Sequence, residues 1–398
     1  MLSGMSTDYG VYMSKPSRVD YFRVVRKQYK KASKKKKGEL LDAAMQLTGL
    51  HRKVIQRHLR TKSQRTRRSP KRPDRYSQET KQAIRDLWHA TSDICGERLQ
   101  PFIPDLLDKL IDCQEMTVSS ETDAQLRRIS IATIKRIVST EKHRSTIRIG
   151  GTTKPGSLLK RQIAVRYGRW DETNPGWCET DTVAHCGESL AGAFIYSLNL
   201  TDVATSWSEQ VAIMGNGERA SVVGIDQTRS RLPFGLLGLD TDNGGEFINW
   251  HLEHYCQKHK ITFTRSRPYH KNDQAHVEQK NWTAIRQLVG YQRMDTLNQL
   301  DILNDLYQNE WRLYLNFFQP TMKVKETIKD LKTGKKTKRY YEARTPYQRL
   351  MKHSNVNKQQ KAMLQSTYDS LNPLQLKREI KRKLTKLEKT FRELNSMS

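Results

Sequence analysis

The chain of 398 residues carries 71 Lys and Arg against 42 Asp and Glu, a formal charge of +29. Its hydrophobic fraction is only 36%, yet 7 Trp, 16 Tyr and 9 Phe supply enough bulk for real cores, which excludes a wholly disordered chain. No run of 18 apolar residues exists, which excludes a transmembrane helix, and the start of the sequence predicts no secretory leader. Five scattered cysteines without a CxxC pair read as reduced thiols of a cytoplasmic protein, not as a disulfide framework or zinc knuckle.

The charge is unevenly placed. Residues 1–80 hold 22 basic against 6 acidic residues and 321–398 hold 21 against 7, whereas 171–320 hold 12 against 19. Basic arms of this size imply a polyanion, because each Lys or Arg set against a phosphate releases condensed counterions. A binder of the ribosomal kind would be basic throughout, so the acidic middle needs its own explanation.

In chain order, residues 17–60 read as helical and 39–60 as a helix-turn-helix within a first domain, 1–60. Leu40, Leu41, Ala44 and Leu47 fall on one side at helical spacing, Gly49 makes the turn, and Val54, Ile55 and Leu59 face inward from the second helix. Arg52, Lys53, Arg57 and Arg60 then face outward, as a recognition helix in a major groove requires. The bland alternative is an ordinary two-helix hairpin. A linker at 61–76, containing Lys71 and Arg72, suits tracking a phosphate backbone. A second helical DNA-binding domain is expected at 77–145, ending in a helix that opens with Ser130 and presents Lys135 and Arg136. A second linker, 146–170, includes a glycine-rich loop at 150–156.

From residue 171 the pattern becomes β-rich. Strands at 177–185, 193–203 and 206–214 read as an antiparallel meander. A helix at 218–229, a strand at 234–242, a helix at 246–258, a strand at 261–266 and two long helices, 272–291 and 296–317, follow. The sum is an α/β domain on a mixed five-stranded sheet, the layout of an RNase H-like fold. The basic tail, 321–398, predicts a hairpin around Gly334 and an amphipathic helix with Leu376, Ile380, Leu384, Leu387, Phe391 and Leu394 in a stripe. That stripe suits packing on its own chain or on a partner helix.

Three carboxylates stand out by position: Asp181 in the first strand, Asp242 ending the fourth, and Glu278 near the start of the following long helix. Sixty residues separate the first pair and thirty-five the second. Meeting in one pocket, they would repel each other unless a cation joined them. Hard oxygen donors suit Mg²⁺ or Mn²⁺, and two such ions activate a nucleophile and stabilise a leaving oxygen in an in-line displacement. An acidic pocket inside a basic protein then makes sense, with metal at the reaction point and arms on the DNA.

The stretch from about 170 to 320 resembles the integrase catalytic core shared by retroviral integrases and bacterial insertion-sequence DDE transposases. The resemblance rests on Asp181, the Thr241-Asp-Asn-Gly-Gly-Glu-Phe block, Glu278, and Gln274 one turn before it. It implies an RNase H-like core with Asp181, Asp242 and Glu278 as catalytic metal ligands and two Mg²⁺ or Mn²⁺ ions per site. The implied activity is 3′-end cleavage at terminal inverted repeats and strand transfer into target DNA by a homo-oligomer, a dimer or larger, in the bacterial nucleoid and without a membrane. Two departures stand: no His/Cys zinc module is present, and Trp282 and Ile285 occupy positions where that family carries lysines. DNA-end contacts are therefore expected from Lys271, Lys280 and Arg286, with His270 and His276 nearby. Asp240 is the alternative ligand to Asp242, Asp171, Glu172 and Glu179 read as exposed acids, and His251, His254, Cys256 and His259 lack the spacing of a zinc site. The competing functions are a structure-selective nuclease on the same fold and a DNA-binding repressor with an inactive core.

Overall fold

The structure is a computed structural model that describes residues 15–60, 75–139, 164–165, 174–242, 244–266, 275–330, 333–334 and 336–397. The chain divides into two compact units, Met1–Arg75 and Tyr76–Ser398. In the first, α1 (Lys15–Lys31), α2 (Lys34–Thr48) and α3 (Arg52–Arg60) close on Phe22, Val25, Tyr29, Leu41, Ala44, Ile55 and Leu59. Ser33 caps α2 by accepting from the Lys36 amide, and Gly49 ends it at φ 65°, the left-handed turn its position predicts. Leu47, expected inside, is 49% exposed: the buried face runs through Leu41, Ala44 and Thr48 and leaves it on the flank.

The second unit opens with α4 (Gln78–Ala90), α5 (Gly96–Leu99), α6 (Ile103–Asp112), α7 (Ser120–Arg127) and α8 (Ile131–Val138). Serine caps at 77, 119 and 130 start α4, α7 and α8. A sheet follows: β1 (Ala164–Val165), β2 (Trp177–Ala184), β3 (Ile195–Asp202), β4 (Ser208–Met214), α9 (Glu218–Ser230), β5 (Gly238–Thr241), α10 (Trp250–Lys258) and β6 (Thr262–Arg265). Its order is β1-β6-β5-β2-β3-β4, with β2–β3 and β3–β4 antiparallel and β2–β5, β5–β6 and β6–β1 parallel. The meander and the parallel strands beside its first member are all five expected strands, in RNase H-like order. β1 is a two-residue addition at the edge.

Next come α11 (Ala275–Lys280), α12 (Gln287–Val289), α13 (Leu297–Leu306) and α14 (Arg312–Phe318). Each long helix expected here is interrupted by a π stretch, at Asn281–Arg286 and Tyr307–Trp311. The tail holds the hairpin β7 (Val324–Lys329) and β8 (Lys336–Tyr340), then α15 (Pro346–Lys352), α16 (Lys358–Ser370) and α17 (Pro373–Met397).

Residues expected as three domains, 77–145, 171–320 and 321–398, share one unit. A single apolar cluster joins Leu87, Leu106, Ile302, Tyr314, Leu350 and Leu387. Polar ties cross the same seams: Tyr314 Oη donates to Ala90 O (2.8 Å) and Lys109 Nζ to Asp369 O (2.9 Å). The stripe of α17 is satisfied within its own chain, with Leu376, Ile380 and Leu387 buried in this cluster.

Candidate active site on the central sheet

The register of the sheet brings the first two carboxylates together. Thr180 of β2 pairs in parallel with Thr241 of β5. Asp181 is the next residue of β2 and Asp242 the first beyond β5, so they follow paired positions of adjacent strands about 4.8 Å apart. Burial, then the charges of Asp242 and Glu246, push the Asp181 carboxyl up to about 7. Two donors work the other way: the Thr182 amide (2.7 Å to Oδ1) and Asn281 Nδ2 (2.7 Å to Oδ2).

Glu246 is a member the sequence reading missed. A helix was expected from 246, but Asn249 caps α10 by accepting from the Leu252 amide (2.9 Å), so the helix begins at Trp250 and Glu246 stays in the preceding turn. From there it accepts from Thr182 Oγ1 (3.3 Å), and burial and the Asp242 charge raise its pKa. Gly244 keeps the space between the two acids open. It donates its amide to Asp242 Oδ1 (2.8 Å), and a Cβ there would lie 2.6 Å from Glu246 Oε2 and 2.9 Å from Asp242 Oδ1.

Behind Asp181 runs a buried relay of amides. Gln210 Nε2 donates to Asn199 Oδ1 (3.0 Å), Asn199 Nδ2 to Asn281 Oδ1 (2.9 Å), and Asn281 to Asp181. Register places Asp181 opposite Asn199 and Asn199 opposite Gln210, so the relay is one row of the sheet carried onto the helix above it. Asn281 was legible only as the residue three beyond Glu278.

Glu278 sits on the first turn of α11 and is exposed. Its helix is pinned on both sides of it: the Val277 amide donates to Glu179 Oε2 (3.1 Å), and Asn281, on the same helix face as Glu278, reaches Asp181. Among the described residues no group of three or more His, Cys, Asp or Glu side chains is placed to hold a metal ion. The structure thus couples Asp181, Asp242 and Glu246, and Glu278 stands exposed on α11. The donor set suits a hard cation nonetheless: oxygen ligands only, mutually repelling, with a glycine holding the gap between two of them.

Other expected positions fare differently. Glu179 is fully buried, not exposed, because it shares the face of Asp181 two residues on and receives α11. Asp240 is buried with Thr264 Oγ1 on its Oδ1 (2.6 Å), tied into the sheet and not offered as a ligand. Lys280 is 5% exposed, which removes it as a surface DNA contact, and burial together with Arg98 and Arg349 lowers its pKa to about 7. Arg286 serves its own backbone, donating to Ala184 O (2.8 Å) and Gly290 O (3.3 Å). Lys135 and Arg136 are exposed, the former paired with Glu97. On α3, Arg52, Lys53, Arg57 and Arg60 are exposed, and Arg52 is paired with Asp42. His251 faces Glu218 at 3.9 Å, and Cys256 is buried, its thiol pushed up to about 12 by that burial. Lys71, Arg72, His270, Lys271 and Gln274 lie outside the described residues.

Strand order and strand direction define an α/β protein of RNase H-like fold. No family model matches the sequence. The chain is 36% identical over 317 residues to "Uncharacterized protein y4rM" of Sinorhizobium fredii (strain NBRC 101917 / NGR234), a match covering 79% of this chain and 90% of that one; it belongs to the same family. Similar solved structures include the catalytic core domain of BIV integrase, at 17% identity over 44% of this chain and 91% of that one with TM-score 0.30. The HTLV-2 integrase catalytic core domain in complex with magnesium matches at 17%, 40%, 92% and 0.28. The simian T-cell lymphotropic virus intasome in complex with PP2A regulatory subunit B56 gamma matches at 12%, 54%, 69% and 0.31. At such scores the strand order, not the superposition, carries the fold.

Proposed function

We propose that this protein is a divalent-metal-dependent DNA transposase that binds the terminal inverted repeats of a mobile element, cleaves their 3′ ends and transfers them to target DNA. The observation that carries the reading is the closeness of Asp181, within β2, to Asp242, just past the end of the parallel neighbour β5, close enough for the charge of one to act on the other. Asp181 and Asp242 would hold Mg²⁺ or Mn²⁺, two ions per site, with Glu278 as the third ligand by its place in the motif. When bound, the ions supply Lewis acidity at the scissile phosphate and lower the pKa of the attacking water or 3′-hydroxyl. The chain's own part is orientation: Asn281 and the Thr182 amide fix the Asp181 oxygens, and Gly244 keeps Asp242 and Glu246 apart. Arg52, Lys53, Arg57 and Arg60 of α3 would hold the repeat, with Lys71, Arg72, Lys135, Arg136, Lys271 and Gln274 as further DNA contacts. Joining two ends calls for a dimer or larger assembly on DNA.

The test is an end-cleavage and joining assay with linear terminal-repeat DNA, a target plasmid and Mg²⁺. Wild type should give cut and joined products, and Asp181→Asn, Asp242→Asn and Glu278→Gln should each lose both. Retention of full cleavage by these variants defeats the reading. Cutting without joining points to a nuclease, and specific end binding with no Mn²⁺ heat in calorimetry points to a repressor.

A further inference from the structure

The hairpin β7–β8 differs from strands β2–β6: all eleven of its strand residues are exposed. It is rooted where Thr321 and Arg344 bridge and where the Tyr341 amide donates to Lys323 O (2.8 Å), and it closes through Gly334 at φ 67°. A two-stranded ribbon that buries nothing is marginal in water.

Its two faces are unlike. Register pairs Thr327 with Lys338 and Lys329 with Lys336, so Lys329, Lys336 and Lys338 share one face. A bulge between Val324 and Glu326 brings the Val324–Tyr340 pair onto that face as well. The other face carries its own compensation, Glu326 meeting Arg339 at 3.2 Å. On the lysine face two ammonium groups stand directly across the ladder, an arrangement that weakens a sheet. Among the described residues, none of these three lysines has an acidic partner in an ion pair.

We infer that this lysine face is a contact for the phosphate backbone of duplex DNA. A two-stranded ribbon fits the major groove, and phosphates relieve the repulsion that the ladder imposes. A protein partner fits this face less well, because a stable protein interface needs above about 1,000 Å² with an apolar centre, and on the lysine face the large apolar groups are confined to Val324 and Tyr340 at the root, Ile328 lying on the opposite face. The inference rests on the proposed DNA function and names a part of the chain that would hold the duplex during it.

The experiment titrates full-length protein into a labelled duplex of arbitrary sequence at several salt concentrations. It compares wild type, the triple variant Lys329→Gln, Lys336→Gln, Lys338→Gln, and the same triple to Arg. The Gln triple should bind about tenfold or more weakly near physiological salt, and its plot of log K against log salt should be shallower by about 2–3, at roughly 0.9 per phosphate lost. The Arg triple should match wild type, and all three should melt alike. A Gln triple with the wild-type slope and affinity overturns the inference. So does one that changes sedimentation without changing the slope, which would make the ribbon an arm between copies of this chain. Failure of the transposase reading shows separately: the slopes differ as expected while the cleavage assay gives no product.

Discussion

Asp181 weakens the metal-free fold. Desolvation and the neighbouring charges of Asp242 and Glu246 outweigh its two hydrogen bonds and set its pKa at about 7. An acid whose folded pKa is raised contributes stability that is fully present below its unfolded value, near 4, and is lost as pH climbs through about 7. In EDTA, Asp181→Asn should therefore melt above wild type at neutral pH, by a few degrees or about 1–2 kcal/mol, and the gap should close as pH falls toward about 4. Calorimetric scans of both proteins over that range check this; a pH-independent gap would locate the effect elsewhere. Asn281 acts on the same carboxylate from the opposite side. If Asp181 is a ligand, Asn281→Ala should leave the fold intact and weaken Mn²⁺ binding by about ten- to a hundredfold, the usual loss when a ligand's orienting partner goes. Calorimetric titration with Mn²⁺ reads it, and an unchanged affinity would separate the amide relay from the metal.

At the scale of elements, the turn after β5 decides whether the acids stay apart. A methyl group at 244 would fall 2.6 Å from Glu246 Oε2 and 2.9 Å from Asp242 Oδ1. Gly244→Ala should thus displace both and abolish most Mn²⁺ heat while circular dichroism stays as in wild type; full heat would show that neither acid had moved. The same turn shows what a sequence does and does not disclose. Strand periodicity and the Asp-Asn-Gly block were enough to place Asp181 and Asp242 on the sheet. The cap at Asn249, which frees Glu246 from the helix, competes with an equally helical pattern from 246 onward and is decided only by packing. Glu179 reads as an exposed acid in the sequence, although pleating alone puts it on the face of Asp181. What could not be seen is that α11 covers that face, since Val277 and Asn281 meet β2 only across about a hundred residues of chain. The π stretch after Lys280 is equally silent in periodicity, because one widened turn leaves the apolar spacing nearly unchanged.

Among the described residues each unit carries its own hydrophobic clusters, one in the first and two large ones in the second, and this governs how the molecule unfolds. Phe22, Ile55 and Leu59 belong to the first unit alone, whereas the second fuses the α4–α8 helices, the sheet and the tail. α17 is part of that fusion: Leu387 is 2% exposed, and buried Lys383 bridges Asp305 (2.8 Å) and Glu310 (2.6 Å) of the helices beneath it. The basic tail thus closes the core beneath one face of the central sheet. Denaturant titration should show two transitions. Leu387→Ala should lower only the larger by about 2–4 kcal/mol, through lost burial and the cavity left behind, and Phe22→Ala only the smaller by about 3–5 kcal/mol. Tryptophan fluorescence isolates the larger unit, because all seven tryptophans, Trp88 to Trp311, lie within it. A Leu387→Ala protein whose tryptophan transition matched wild type would mean that α17 unfolds on its own, leaving the sheet and its carboxylates to stand without the tail.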